Sequence, residues 1–96
     1  MSFTLVYDFE ARDGKADELL GPLIGGRDFG RSVEGCESFE VYQGAEDPHR
    51  FVMVETWASA DAQRAHFETN VLPSGVLDKV GALVVGPIQP SSFVRR

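Results

Sequence analysis

The 96-residue sequence has one cysteine, two histidines and no long apolar run. A single cysteine forms no internal disulfide, and Cys36 with His49 and His66 falls short of the four ligands of a structural zinc site. No stretch approaches the ~20 apolar residues that cross a bilayer, and the N-terminus lacks the basic start and cleavage site of a signal peptide. We therefore expect a cytoplasmic protein with no structural metal and no membrane partner.

Positive charge is also scarce. Nine Lys and Arg residues stand against 15 Asp and Glu residues, which gives a formal net charge of −6 at pH 7. The basic residues are scattered apart from the terminal Arg95 and Arg96, so the basic patch that nucleic acid requires is missing. We therefore expect no nucleic-acid partner.

The length and composition fit one globular domain that spans residues 1–96. The chain is 43% hydrophobic and 25% charged, and it is too short for a second core of useful size. Apolar periodicity predicts the order β-α-β-β-α-α-β. The expected strands cover 3–10, 36–43, 51–57 and 88–94, and Pro90 confines the last of them to a sheet edge.

The helices are predicted from caps and breakers. Helix one begins near Lys15, but its later half holds Gly21, Gly25, Gly26 and Gly30, each of which costs ~1 kcal/mol relative to Ala. We expect fraying or a break near Gly25, and a loose segment that forms a lid if it lies over a pocket. Ser59 is the N-cap of a second helix that ends near Asn70. Ser74 caps a third, which Gly86-Pro87 stops.

This element order predicts an α+β fold, a ferredoxin-like antiparallel sheet with helices on one face. Alternation gives both faces of the sheet apolar residues. One face carries Phe3, Leu5, Tyr7, Phe9, Phe51, Met53 and Trp57, and the other carries Thr4, Val6, Val52, Val54 and Thr56. Because the helices can cover only one face, we expect the other to pack against a second copy of the chain as a homodimer.

The segment Glu55 to His66, ETWASADAQRAH, resembles the signature of the antibiotic biosynthesis monooxygenase (ABM) domain family. In that signature the third strand ends in Glu-x-Trp and is followed by a Ser cap and a helix that ends in His. The stretches GKADELL, GCESFEVY and EDPHRF resemble flanking features of the family, and the similarity covers most of residues 3–86. The resemblance implies a dimeric α+β barrel. Members include cofactor-free oxygenases of polyketide phenols or quinols, haem-degrading relatives and proteins of unassigned activity.

The resemblance implies a cofactor-independent monooxygenase that acts on an aromatic, quinol or polyketide-type small molecule with O₂. Such chemistry needs a base near an acidic phenol and an apolar cavity around the resulting anion. We assign catalytic roles to His66, Glu55 and Trp57, with His66 or Glu55 as the base. Substrate-binding roles fall to Tyr7, Phe9, Phe29, Tyr42 and Phe67, and Arg50 is a weaker candidate donor.

Each catalytic candidate also has a structural interpretation. Trp57 is of the size and type that fill a core, His66 could satisfy a backbone carbonyl, and Glu55 could bond a helix amide or an arginine. Two other functions stay open. The first is a haem-binding or haem-degrading relative. Haem-degrading members of the family pair a Trp with a His ligand and an Asn on strand one, where this chain has Tyr7 and Asp8 instead. The second is a non-catalytic dimer that binds a small molecule or supports another protein.

Overall fold

The computed structural model describes all 96 residues, from Met1 to Arg96. Four strands, four α-helices and one π-helical segment follow one another along the chain. They are β1 (Phe3–Glu10), α1 (Ala16–Arg31), β2 (Cys36–Gln43), β3 (Arg50–Trp57), α2 (Ala60–His66), the π-helical segment (Phe67–Val71), α3 (Leu72–Ser74), α4 (Val76–Gly81) and β4 (Ser91–Val94).

The strands form one antiparallel sheet in the order β2-β3-β1-β4, so β3 and β1 lie at its centre. Phe3 pairs with Trp57 and Phe9 with Phe51, a register that places the aromatic sides of β1 and β3 on the same face. The helices pack on that face. The predicted α+β, ferredoxin-like fold is confirmed.

The core lies between this inner sheet face and the helices. Phe51 and Leu19 are fully buried, and Leu5, Phe9 and Val84 lie in the same cluster. Burial of such side chains removes apolar surface from water, which stabilises the fold by about 1.5–3 kcal/mol for each large side chain. The helices therefore cover the inner face, and any site on this face must lie among core residues.

The expected break in helix one is wrong, because α1 runs without interruption from Ala16 to Arg31. Gly30 is buried against the ring of Phe39, and a Cβ at this position would lie 2.6 Å from two ring carbons. The glycine allows the end of α1 to approach β2. Packing of this end, together with buried Leu19 and Leu23, outweighs the weak helix propensity of the glycines.

The second helix begins as predicted, because the Ser59 side chain accepts a hydrogen bond from the Ala62 backbone N–H. It does not end near Asn70. The helical path widens into the π-helical segment after His66 and continues through α3 to Gly75, which has a φ of +77°. Ser74 Oγ accepts a bond from the backbone N–H of Val76.

The last helix and the last strand are shorter than predicted. The chain leaves α4 at Gly81, well before Gly86-Pro87, because Val84 pairs as an isolated bridge with Ala11 beyond the end of β1. Strand β4 begins after Pro90 and pairs with β1 at the sheet edge, as expected for a strand next to a residue without an N–H donor. No helix is both long and apolar enough to span a membrane.

Candidate functional site

A cavity of about 80 Å³ lies between the inner sheet face and the helices. Most of its lining residues are hydrophobic, including Phe9 and Met53 from the sheet and Phe67 from the π-helical segment. The polar residues among them include Glu55 and His66, and Tyr7 adds a hydroxyl. The inner cavity is therefore an apolar space with a few polar groups, the usual character of a small-molecule site.

An outer cleft of about 640 Å³ lies between the second half of α1 and residues 69–79. Pro22, Gly26 and His66 line both the outer cleft and the inner cavity. Lys79 is the only Lys, Arg, Asp or Glu that lines the cleft. The two spaces meet beside the His66 ring, and the glycine-rich half of α1 is a helical wall of the cleft.

Glu55 projects from β3 into the helix-covered side of the sheet and is only 4% exposed. Its Oε1 accepts a hydrogen bond from Trp57 Nε1 at 2.9 Å. Its Oε2 has no hydrogen-bond partner in the protein. Because every fully buried side-chain oxygen or nitrogen does have a partner, Oε2 is not fully buried, and it opens to the cavity that Glu55 lines. Burial raises the pKa of Glu55, although the indole bond partly opposes this effect.

His66 ends α2 and is 6% exposed. Its ring stacks with the indole of Trp57 at a centroid distance of 4.8 Å and with the ring of Phe29 at 6.2 Å. Its Nδ1 lies 3.0 Å from Nδ2 of Asn70, and its Nε2 has no partner in the protein and opens to the cavities. Burial lowers the pKa of His66, which favours a neutral imidazole.

Tyr7 projects from β1 and lines the inner cavity. Burial raises the pKa of its phenol far above the ordinary range, and the nearby charge of Glu55 raises it further. The phenol therefore keeps its proton. Because its oxygen makes no hydrogen bond within the protein, it is free to donate to a bound molecule.

The structure brings together most of the site residues predicted from the sequence. Tyr7, Phe9, Glu55, His66 and Phe67 line the inner cavity, and Phe29 lines the outer cleft. Trp57 lines neither space and is fully buried behind His66, so it supports Glu55 and His66 and forms no part of the cavity wall. The partner of Glu55 is this indole, and neither a helix amide nor an arginine.

Tyr42 and Arg50 lie away from the site. Tyr42 pairs with Val52 on the face of the sheet that no helix covers and is 56% exposed, which contradicts its assignment to substrate binding. Arg50 donates to Asp8 across the ends of β3 and β1 at 2.6 Å. Sequence reasoning instead missed Asn70, although its position four residues after His66 on a helix was a visible signal.

The three polar groups on the inner cavity have complementary properties. Glu55 offers a carboxylate oxygen in a poorly solvated place, Tyr7 a protonated phenol, and His66 a neutral ring nitrogen. A carboxylate with a raised pKa is a stronger base than one in water, and a phenol or imidazole N–H can stabilise negative charge on oxygen. The site can therefore deprotonate an aromatic hydroxyl and hold the resulting anion. No group of three His, Cys, Asp or Glu side chains is arranged to bind a metal ion.

Comparison with known proteins agrees with this fold. The chain is 20% identical to Rv0793 from Mycobacterium tuberculosis, with a TM-score of 0.89 over 100% of this chain and 96% of that one. It is 16% identical to a conserved protein from Methanosarcina mazei Go1, with a TM-score of 0.90 over 100% and 94% of the two chains. PA3566 from Pseudomonas aeruginosa is 22% identical, with a TM-score of 0.84 over 99% and 94%.

These identities are low enough that the structures support the fold alone. No curated protein matches the sequence. The sequence model of one family, described as antibiotic biosynthesis monooxygenase, matches residues 2–72 and thus includes Glu55, Trp57 and His66. Because this match covers most of the chain, the protein belongs to the antibiotic biosynthesis monooxygenase (ABM) family.

Proposed function

We propose that this protein is a cofactor-independent monooxygenase of a hydroxylated aromatic compound, such as a quinol or a polyketide-type phenol. One observation carries the proposal: Glu55 Oε2, the Tyr7 hydroxyl and His66 Nε2 all open into an apolar space. Family membership supports the same class of reaction.

The first step is deprotonation of the substrate. Glu55 Oε2 accepts the phenolic proton, and the apolar walls favour a delocalised aromatic anion over a small, strongly hydrated one. Tyr7 and His66 donate to oxygen atoms that carry the negative charge. The anion itself is the electron donor to O₂. For a substrate whose phenol ring adjoins a CH₂ group, CH₂ and O₂ yield a carbonyl and water, so one oxygen atom enters the product.

The two connected spaces indicate the shape of the substrate. The inner cavity, at about 80 Å³, accommodates a single planar ring, and the larger outer cleft can hold the rest of a fused or substituted molecule. The ring would lie with its hydroxyl beside Glu55. Substituents that leave past His66 would enter the cleft that Lys79 lines.

The active form is proposed to be a homodimer. The outer sheet face carries half-buried Val6, Val52 and Val54 on the central strands, with exposed Tyr42 and Phe93 beside them, and no helix covers it. A sheet with apolar residues on both faces requires cover on both. A second copy would supply it through the same face and form a two-fold pair.

Oxygen consumption with a panel of hydroquinones and anthrones tests the function. The wild type is expected to consume O₂ with at least one compound, and Glu55→Gln and His66→Ala to slow that reaction by ~10²-fold or more. Glu68→Gln is the matched control, because it makes the same change at an exposed position on the π-helical segment. Equal rates in all four proteins would refute the proposed site.

A further inference from the structure

The contact between Asn70 and His66 bears on which nitrogen of the imidazole carries the proton. The amide nitrogen Nδ2 of Asn70 lies 3.0 Å from Nδ1 of His66. In this orientation the amide presents its nitrogen, which only donates hydrogen bonds, so Nδ1 is the acceptor and carries no proton. In a neutral imidazole the single N–H then resides on Nε2.

The surrounding structure holds the His66 ring in place. Asn70 lies on the π-helical segment, four residues beyond His66, and is half-buried there. The His66 ring cannot turn freely, because it stacks with Trp57 and Phe29. A π-helical turn immediately after a cavity residue is a frequent feature of functional sites. Packing thus fixes the ring orientation, and the orientation of the amide favours one tautomer.

The other nitrogen faces the site. Nε2 has no partner in the protein and opens to the space beside the cavity, so its hydrogen is available to a bound molecule. Protonation of Nδ1 would set two N–H donors against each other across the contact with Asn70. In this orientation the amide therefore also disfavours the charged imidazolium.

We propose that Asn70 is a positioning residue that holds His66 as the neutral Nε2–H tautomer, so that His66 donates a hydrogen bond to the substrate or to reduced oxygen. Glu55 is then the only base at the site. The role of His66 as a donor to the substrate rests on the proposed function. The tautomer is a property of the free protein and can be tested without a substrate.

Nitrogen-15 NMR of the imidazoles tests the tautomer directly. The chain has two histidines, so His49→Gln assigns the His66 signals. The expected wild-type pattern is a protonated Nε2 and a bare Nδ1. In Asn70→Asp a carboxylate replaces the donor and accepts from Nδ1–H, so the proton is expected to move to Nδ1. Glu68→Gln should keep the wild-type pattern.

A wild-type spectrum with the proton on Nδ1, or an unchanged pattern in Asn70→Asp, would overturn the proposal. Backbone amide spectra confirm that each variant is folded. With an active substrate, Asn70→Asp should lower kcat by about 10-fold or more and change KM little. A wild type that consumes no O₂ with the panel would count against the proposed function, while the NMR result would still decide the tautomer.

Discussion

Trp57 and Glu55 project from the same face of β3, two residues apart, and the indole Nε1 donates to Glu55 Oε1 at 2.9 Å. The same indole stacks on the His66 ring. One buried side chain therefore positions both the proposed base and the proposed donor. The regular geometry of a strand, in which residues i and i+2 share a face, accounts for this arrangement.

Removal of the indole should destabilise the protein through Glu55. Trp57→Phe leaves Oε1 buried without its donor, and a lost bond to a charged group costs roughly 1.5–3 kcal/mol. In a protein that already carries Glu55→Leu, Trp57→Phe should lower the free energy of unfolding by less, because no carboxylate remains that needs a hydrogen bond. Chemical denaturation of the wild type, both single variants and the double variant measures the coupling. A coupling free energy near zero would show that the bond contributes nothing.

Burial of Glu55 should make stability depend on pH. Its folded-state pKa is raised above the ordinary 4.5, so the folded chain binds a proton more tightly than the unfolded chain. This contribution is fully favourable at pH values below 4.5 and is lost as pH rises through the folded pKa. Relative to Glu55→Gln, the wild type should therefore lose stability as pH rises above 4.5. Parallel unfolding curves for the two proteins at every pH would contradict this prediction.

Gly30 should resist substitution, whereas Gly21 should not. A Cβ at Gly30 would meet the Phe39 ring at 2.6 Å, and Gly30→Ala should cost about 1–3 kcal/mol through overpacking. Gly21 lies in the same helix with nothing within 4 Å of such a Cβ, so Gly21→Ala should stabilise by up to about 1 kcal/mol. Thermal melts compare the two. Similar effects in both would remove the packing explanation for the intact α1.

The proposed dimer can be tested at Val54. This residue lies on the uncovered face of a central strand and is only half-buried in the single chain. Val54→Lys would place a charge within the interface, and the variant should be monomeric by light scattering while the wild type is dimeric at micromolar concentration. Ala65→Lys adds the same charge at an exposed helix position. It should stay dimeric, and a monomeric wild type would reject the dimer.

The sequence predicted the sheet well, because alternation along β1 and β3 is a strong local signal. Leu5, Tyr7 and Phe9 share one face as expected, and the structure shows that the helices cover this face. The expected break near Gly25 was wrong because the packing of Gly30 on Phe39 is a tertiary contact between α1 and β2. The helix propensities of the individual residues do not predict that contact.

The site was predicted in part for similar reasons. Glu55 and His66 reach the cavity, but the burial of Trp57 behind them depends on how α2 returns over the sheet. Tyr42 was misplaced although alternation along β2 already puts it on the face opposite Phe39 and Val41, and the pairing with β3 keeps it there. Asn70 was taken as the end of a helix, since the widening into a π-helical turn has no simple sequence signature.

Isotope labelling tests the central claim most directly. Turnover of an anthrone or hydroquinone under ¹⁸O₂, followed by mass spectrometry, should give wild-type product that carries one labelled oxygen atom. Glu55→Gln should form that product ~10²-fold more slowly, at the same protein concentration. Unlabelled product, or labelled product formed equally fast by the wild type and Glu55→Gln, would contradict a monooxygenase that uses Glu55 as its base.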